Sequence, residues 1–139
     1  MSELNKIALK ILSNGKGILA ADESNGTMTK RLESVNVPSS PENRLLFRET
    51  LFSSSGMKDF IGGVILYDET INQTSNSKQT IPELISKSGA VPGIKVDTGA
   101  KVLAGSNEEK NYRRFGWLKR KTTRLLQAWS KIYKVERCL

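Results

Sequence analysis

Three short apolar runs alternate along the chain with segments that have helical hydrophobic spacing. The runs are Gly17–Ala21, Val64–Tyr67 and the segment VPGIKVDTG of residues 91–99, and none shows strict polar alternation. Such runs are typical of strands that are covered on both faces. The order strand, helix, strand, helix, strand predicts parallel βαβ units and an α/β fold.

Helix signals surround the apolar runs. The segment SELNKIALKILSNG has Ser2 as a candidate cap, Gly15 as a stop, and one apolar stripe formed by Leu4, Ile7, Ala8, Ile11 and Leu12. The segment SPENRLLFRETLF begins with Ser40 as the cap and Pro41 in the first turn, where a missing N–H costs little. A third, shorter helix is predicted for IPELISKSG, with Pro82 near its start.

Charged side chains stand at the C-terminal end of each predicted strand, where α/β folds place their chemistry. Lys95 lies inside the third apolar run, and an ammonium buried there needs a partner or a function. The acids by themselves are also compatible with turns that follow strands, and we interpret Asp68, Glu69 and Asp97 as structural. The strand-end acids are Asp22, Glu23, Asp68, Glu69 and Asp97.

The formal net charge of +8 is confined to the end of the chain. Residues 1–109 carry 12 basic and 13 acidic side chains, whereas residues 110–139 carry ten basic and one acidic. Both tryptophans and the only cysteine also lie in this last segment. The basicity therefore says nothing about partners of the main body.

Several classes of protein are excluded by composition. One cysteine excludes an internal disulfide framework, and the absence of histidine removes zinc-finger spacings. No apolar run has the length of a membrane span, and we expect no signal peptide. We therefore expect a soluble protein in a reducing compartment.

Four motifs taken in order resemble the N-terminal part of class I fructose-bisphosphate aldolase. They are GKGILAADES, GGVILYDET, GIKVDTG and LAGSNEE, and the similarity extends from about Leu4 to Lys110. The resemblance implies an incomplete TIM (β/α)8 barrel, comprising about three βα units in residues 1–110. It also implies a homo-oligomeric enzyme that uses no metal or cofactor. Such enzymes cleave fructose 1,6-bisphosphate to dihydroxyacetone phosphate and glyceraldehyde 3-phosphate through a lysine Schiff base.

The same resemblance implies roles for four residues. Asp22 of AADES matches the active-site aspartate, which hydrogen-bonds substrate hydroxyls and helps to position proton transfers. Lys95 of GIKVD matches a lysine near substrate oxygens and phosphate. Thr27 and Arg31 of NGTMTKR match positions used around substrate phosphates, although the family more often has Ser at the position of Thr27. Arg31 alternatively lies on a solvated helix face.

A complete TIM barrel takes about 250 residues, and this chain covers three strands. In the family, the Schiff-base lysine and the carboxylate pair beside it lie on later strands, and no lysine of this sequence matches the nucleophile. We therefore expect the 139-residue polypeptide to be inactive by itself. An unclosed barrel also leaves strand edges unpaired.

Residues 111–139 lack the GLDGL and KWR motifs with which the family continues. Codons allowed for residues 110–138, read one nucleotide later, can encode KITEGLDGLKERLQDYYKLGAKFTKWR, which contains both motifs. In the next frame, the last two bases of a Trp codon begin a codon that always encodes glycine. This happens at Trp117 and at Trp129. We therefore interpret the tail as an out-of-frame, poorly ordered or loosely helical segment.

Two alternatives give the tail a function of its own. Cations that contact phosphates and aromatics that stack on bases suit a nucleic-acid-binding arm. The mixture of Trp and Leu with cations also suits an amphipathic helix at a membrane surface. The residues concerned are Arg113, Arg114, Lys119, Arg120, Lys121 and Arg124, with Trp117, Trp129 and Tyr133 between and beyond them.

Overall fold

A computed structural model describes residues 2–96, 100–102 and 110–112 of the chain. The chain divides into two compact units, residues 1–95 and 96–139. The predicted site residues Asp22, Thr27, Arg31 and Lys95 all belong to the first unit. Asp97 lies outside the described residues.

The described residues of the first unit form three strands and six α-helices. The strands are β1 (Gly17–Ala21), β2 (Ile61–Leu66) and β3 (Val91–Ile94). The helices are α1 (Glu3–Leu12), α2 (Asn25–Glu33), α3 (Pro41–Phe52), α4 (Met57–Phe60), α5 (Asp68–Ile71) and α6 (Ile81–Lys87). A 3₁₀ turn, Ser13–Gly15, joins α1 to β1.

The three strands form one parallel sheet in the order β1-β2-β3. Leu66 pairs with Ala21 on one side and with Ile94 on the other, so all three C-terminal ends meet at one edge. The α/β fold class and the partial parallel barrel predicted from the sequence are therefore confirmed. Within the described residues, β1 and β3 each pair with β2 alone, and Ile18 of β1 is 53% exposed.

The core lies around β2, whose residues are mostly buried, and beneath the helices that pack beside it. Helix α1 packs against β1 and β2, α6 packs against β3, and α3 and α5 both contact α6. Helix α1 contributes no fully buried side chain, so the core is formed by the other helices and the sheet. The buried apolar side chains are Ala21, Met28, Leu32, Phe52, Met57, Val64, Leu66, Ile71, Ile81, Ile85 and Ala90.

The predicted helix caps are present. The Ser2 hydroxyl accepts a hydrogen bond from the Asn5 N–H (3.3 Å), and the Ser40 hydroxyl accepts one from the Asn43 N–H (3.2 Å). Thr80 and Glu83 form a reciprocal capping box at the start of α6. Helix α2 was expected only in the alternative that places Arg31 on a solvated helix face, and Asn-Gly at its start is a poor helix signal. Ser24 compensates as its cap.

Helix α1 approaches β2 at a register shift between the first two strands. Gly17 pairs with Ile61 and Ile18 pairs with Gly63, so Gly62 is the extra residue. A Cβ atom at Gly62 would lie 1.8 Å from the Ile11 carbonyl oxygen. Only glycine therefore permits this contact.

The apolar stripe predicted on α1 is covered only in part. Ile7 and Ile11 are partly buried, but Leu4 is 77% exposed and Leu12 is 62% exposed. The backbone of α1 meets the sheet at Gly62, so the helix uses close main-chain contact at one point instead of its whole stripe.

The second unit contains two described strands, β4 (Ala100–Val102) and β5 (Lys110–Tyr112), which pair antiparallel. Neither strand was predicted from the sequence. The predicted boundary after residue 110 falls within β5, and residues 113–139 of the predicted tail lie outside the described residues.

Candidate active site

The structure brings Asp22 and Lys95 together at the C-terminal edge of the sheet. Asp22 follows β1 directly, Lys95 follows β3 directly, and the middle strand β2 runs between them. The Lys95 Nζ atom lies 3.6 Å from the Asp22 Oδ2 atom. The sequence therefore identified two residues that are far apart in the chain and form one ion pair.

Lys95 differs from the prediction in its environment. It lies one residue beyond β3, although its N–H still donates to the Leu66 carbonyl oxygen (2.9 Å) and so continues the pairing with β2. Its side chain is 31% exposed, and that of Asp22 is 26% exposed. The ammonium is therefore not fully buried, because it emerges where the strand ends and meets a carboxylate. Solvent or a ligand can reach both charged groups.

Thr27 lies in the first turn of α2, and Arg31 lies in its last turn. The Arg31 guanidinium forms an ion pair with the Glu23 carboxylate, one residue after Asp22. The Thr27 N–H donates to the Ser24 hydroxyl (3.4 Å), and the two hydroxyls are 3.2 Å apart. Thr27 is exposed and takes part in the cap of α2, while Arg31 contacts the loop that carries Asp22.

Helix α3 contributes two arginines that were not predicted as functional. The residues it buries are Arg44, Arg48 and Phe52, which are spaced four apart on one face. Arg44 binds the carboxylate of Glu69 with two hydrogen bonds, from Nε to Oε2 (2.9 Å) and from Nη2 to Oε1 (2.6 Å). This bidentate pair joins α3 to α5, just after β2.

Arg48 is fully buried and bridges the segments that follow two strands. Its Nη2 donates to the Glu23 carbonyl oxygen (2.6 Å), and its Nη1 donates to the Thr70 hydroxyl (2.6 Å). The Glu69 Oε2 atom lies 3.9 Å from Nη1, and the guanidinium carbon lies 5.9 Å from the centre of the Tyr67 ring. The loop after β1 is thereby tied to α5.

These contacts shift the pKa values of the cluster in opposite directions. The hydrogen bonds from Arg44 hold the pKa of Glu69 below its usual range, although burial acts against them. The bonds to Glu69 raise the pKa of Arg44. Burial lowers the pKa of Arg48, and the carboxylates of Glu23 and Glu69 counteract it. At neutral pH the cluster is therefore a charged and paired network.

A signal for this cluster does exist in the sequence. Arg44 and Arg48 share the helical spacing of Phe52, which marks the inner face of α3. The acid pair Asp68–Glu69 after β2 offers the complementary charge. Glu69 is an ion-paired residue in the structure, as its interpretation as a structural acid requires.

The described residues contain no group of three or more acids or cysteines arranged to hold a metal ion. Among the helices in the described ranges, none is both long enough and apolar enough to cross a membrane.

Comparison with known proteins places this arrangement in a family. The family model "Fructose-bisphosphate aldolase class-I" matches residues 3–135. The chain belongs to the class I fructose-bisphosphate aldolases. The family match extends across most of residues 111–139, so the aldolase boundary at residue 110 and the out-of-frame tail stay predictions.

Curated aldolases resemble about three quarters of the chain. Fructose-bisphosphate aldolase 2 of Caenorhabditis elegans is 48% identical over 104 residues, which is 75% of this chain and 28% of the relative. Fructose-bisphosphate aldolase B of Gallus gallus is 51% identical over 107 residues, which is 76% of this chain and 29% of the relative. The chain thus spans less than a third of the length of these aldolases.

A solved aldolase structure has the same fold. The aldolase of Plasmodium falciparum, crystallised with TRAP and a small-molecule inhibitor, superposes with a TM-score of 0.84 at 36% sequence identity. The match covers 91% of this chain and 36% of the solved chain. The three-stranded sheet is therefore an aldolase barrel segment in its geometry as well as in its sequence.

Proposed function

We propose that this chain supplies the Asp22–Lys95 part of an aldolase pocket, which binds a sugar phosphate such as fructose 1,6-bisphosphate. The observation that supports the proposal is the 3.6 Å pair between Lys95 Nζ and Asp22 Oδ2 at the C-terminal sheet edge. Enzymes of this architecture place substrate at that edge. Cytoplasmic location and homo-oligomeric assembly, typical of the family, belong to the same proposal.

The two groups have complementary roles in this proposal. The Lys95 ammonium attracts phosphate or ketose oxygens, because it is a compact charge with three donors. The Asp22 carboxylate accepts hydrogen bonds from substrate hydroxyls and helps to position proton transfers. Arg31 and Thr27 extend the pocket toward a phosphate, and Arg31 is 54% exposed for that contact.

We propose further that the 139-residue polypeptide does not cleave the sugar by itself. The Schiff-base step needs a lysine amine that attacks the ketone, and no lysine of the 139 residues matches that nucleophile. Binding and cleavage are therefore separable in this protein.

Ligand binding tests the first part. Titration of the 139-residue polypeptide with fructose 1,6-bisphosphate, followed by calorimetry or amide chemical shifts, should show binding that Lys95→Met or Asp22→Asn weakens several-fold. Matched controls are Lys87→Met and Asp59→Asn, which remove exposed charges elsewhere and should leave the affinity unchanged. Equal affinity in all five proteins would overturn the assigned pocket.

Borohydride trapping tests the second part. The polypeptide is treated with dihydroxyacetone phosphate and borohydride, beside a full-length class I aldolase as the positive control. We expect a covalent adduct on the control and none on this chain, because a trapped imine requires the nucleophilic amine. A stoichiometric adduct on this chain, located by mass spectrometry, would contradict the proposal.

The charge segregation favours a second candidate, a binding arm for nucleic acid or a membrane surface in residues 110–139. Ten of the 22 basic residues lie there with one acid. Such an arm would retain the protein on single-stranded RNA or anionic vesicles at low salt and release it as salt rises. The aldolase proposal instead predicts sugar-phosphate binding that Lys95→Met weakens.

A further inference from the structure

One guanidinium group joins the two segments that lead out of the neighbouring strands β1 and β2. Arg48 of α3 is fully buried, and its Nη2 and Nη1 atoms each donate a 2.6 Å hydrogen bond. One acceptor is the main-chain oxygen of Glu23, and the other is the hydroxyl of Thr70. Arg48 therefore contacts the main chain one residue beyond Asp22.

Burying the charged side chain of Arg48 in this space is energetically unfavourable. Removing a guanidinium from water costs several kcal/mol in typical proteins, and an apolar side chain of similar volume often gives equal or greater stability. The compensation is also incomplete, because Nε is buried without a hydrogen-bond partner and the Glu69 carboxylate is 3.9 Å from Nη1. Stability alone is a poor explanation for the residue.

The forked geometry of the guanidinium group explains the presence of Arg48 better than stability does. A planar guanidinium holds two acceptors at a fixed separation, which neither an ammonium nor an apolar side chain can do. Here it fixes the Glu23 carbonyl relative to α5. Asp22 precedes Glu23, so the same contact limits where the Asp22 carboxylate can point.

Arg44 and Glu69 help to hold the side chain of Arg48 in position. Glu69, the acid near Arg48, is itself held by the two hydrogen bonds from Arg44. Its carboxylate also accepts a 3.5 Å hydrogen bond from the side-chain amide of Asn25, the first residue of α2. Glu23 and Asn25, which both follow Asp22 closely in the chain, are thus connected to α3 through this cluster.

We propose that Arg48 is a positioning residue, which holds the Asp22–Glu23 main chain so that the Asp22 carboxylate faces the Lys95 ammonium. Its relevance to catalysis rests on the proposed function, in which Asp22 and Lys95 contact the sugar phosphate. The positioning of the Asp22 carboxylate by Arg48 does not depend on bound substrate.

The test measures the amine reactivity of Lys95 in the whole 139-residue chain. Each protein is acetylated briefly under native conditions, and Lys95 acetylation is measured by peptide mass spectrometry relative to Lys58 and Lys87. Asp22→Asn removes the carboxylate and sets the upper reference. We expect it to raise the relative labelling of Lys95 roughly two- to fivefold, the range for a partly exposed ion pair.

Two substitutions at Arg48 test whether this residue positions Asp22. Arg48→Met keeps the length and removes both donors, so relative labelling of Lys95 should rise close to the Asp22→Asn level. Arg48→Lys keeps the charge without the fork and should give an intermediate rise. Thr70→Val removes one acceptor of the fork and leaves the bond to the Glu23 carbonyl, so it should raise the relative labelling of Lys95 less than Arg48→Met does.

The outcomes separate positioning from simple stability. A rise confined to Lys95 supports the proposal. Unchanged Lys95 labelling in both Arg48 variants overturns it, and so does an equal rise at Lys58, Lys87 and Lys95, which indicates general unfolding. Failure of sugar-phosphate binding with a selective Lys95 response would reject the proposed function and leave the positioning role intact.

Discussion

At the scale of single residues, the carboxylate of Glu69 joins helices that are distant in the chain through polar contacts. It accepts hydrogen bonds from Arg44 and from the Asn25 amide, and it lies near Arg48. These contacts join α5, which carries Glu69, to α2 and to α3. Protonation of Glu69 should therefore lower the free energy of unfolding of the first unit.

The pH dependence follows from the direction of the Glu69 shift. The hydrogen bonds from Arg44 lower the pKa of Glu69 in the folded state. The stabilisation is then complete above the unfolded pKa of about 4.3 and is lost as pH falls through the lower folded pKa. We expect the free energy of unfolding, measured with urea, to decrease as the solution is acidified below about pH 5.

The variant Glu69→Gln isolates this contribution. It should unfold about 1–3 kcal/mol more easily at neutral pH, because hydrogen bonds to a charged acceptor are lost. Its stability should also depend less on acid pH than that of wild type. Glu33→Gln, which changes an exposed acid of α2, should keep the wild-type pH profile. Parallel profiles for Glu69→Gln and wild type would refute the assignment.

The roles of individual residues were only partly predictable from the sequence. Asp22 and Lys95 were accessible, because strand-end charges and family motifs both mark them, and the structure brings them within 3.6 Å. Arg44 and Arg48 were not, because an arginine is expected on the exposed face of a helix. Glu69 and Thr70, their partners in α5, lie more than 20 residues away in the chain, so the helical spacing with Phe52 indicates the buried face but not the pairing.

At the scale of elements, the contact between α1 and β2 depends on the missing side chain of Gly62. A Cβ atom there would lie 1.8 Å from the Ile11 carbonyl oxygen, an impossible distance against main chain. In Gly62→Ala the helix must move away from the sheet. We expect the free energy of unfolding to fall by more than about 2 kcal/mol.

Two measurements check the Gly62 prediction. Urea unfolding gives the stability loss, and limited proteolysis should cut within residues 3–12 sooner than in wild type. Gly56→Ala is the matched control, because its added Cβ meets only the Phe60 ring at 3.6 Å. If Gly62→Ala has wild-type stability and wild-type resistance of α1 to protease, the close approach has no structural importance.

Element existence was more predictable than the face each helix buries. Helices α1, α3 and α6 and all three parallel strands follow from caps, prolines and apolar runs. The inner face of α3 does not, since it buries Arg44 and Arg48 while Leu46 is 53% exposed. Ion pairing with α5 decides that orientation, and hydropathy cannot report it.

At the scale of the whole molecule, the central strand of the parallel sheet should be its most stable part. Within the described residues, β2 is paired on both sides, while β1 and β3 are each paired on one. Amide hydrogens of β2 should therefore exchange with solvent more slowly than those of either neighbour.

Hydrogen exchange with peptide-level mass spectrometry tests this order. Peptides over residues 61–66 should take up deuterium most slowly. Peptides over residues 17–21 should take up part of their deuterium early, because alternate N–H groups of β1 point away from β2. The buried face of α3 serves as an internal reference. Equal protection of β1 and β2 would show that another segment covers the outer edge of β1.

Within residues 2–95, the outer edges of β1 and β3 pair with no further strand, and this has a consequence for how copies could associate. When β1 of one molecule adds to β3 of another, each molecule still presents one vacant side, so pairing does not end with two partners. Head-to-tail growth of this kind either closes into a ring or continues as a fibre. The concentration at which the polypeptide is kept should then determine whether it remains dispersed.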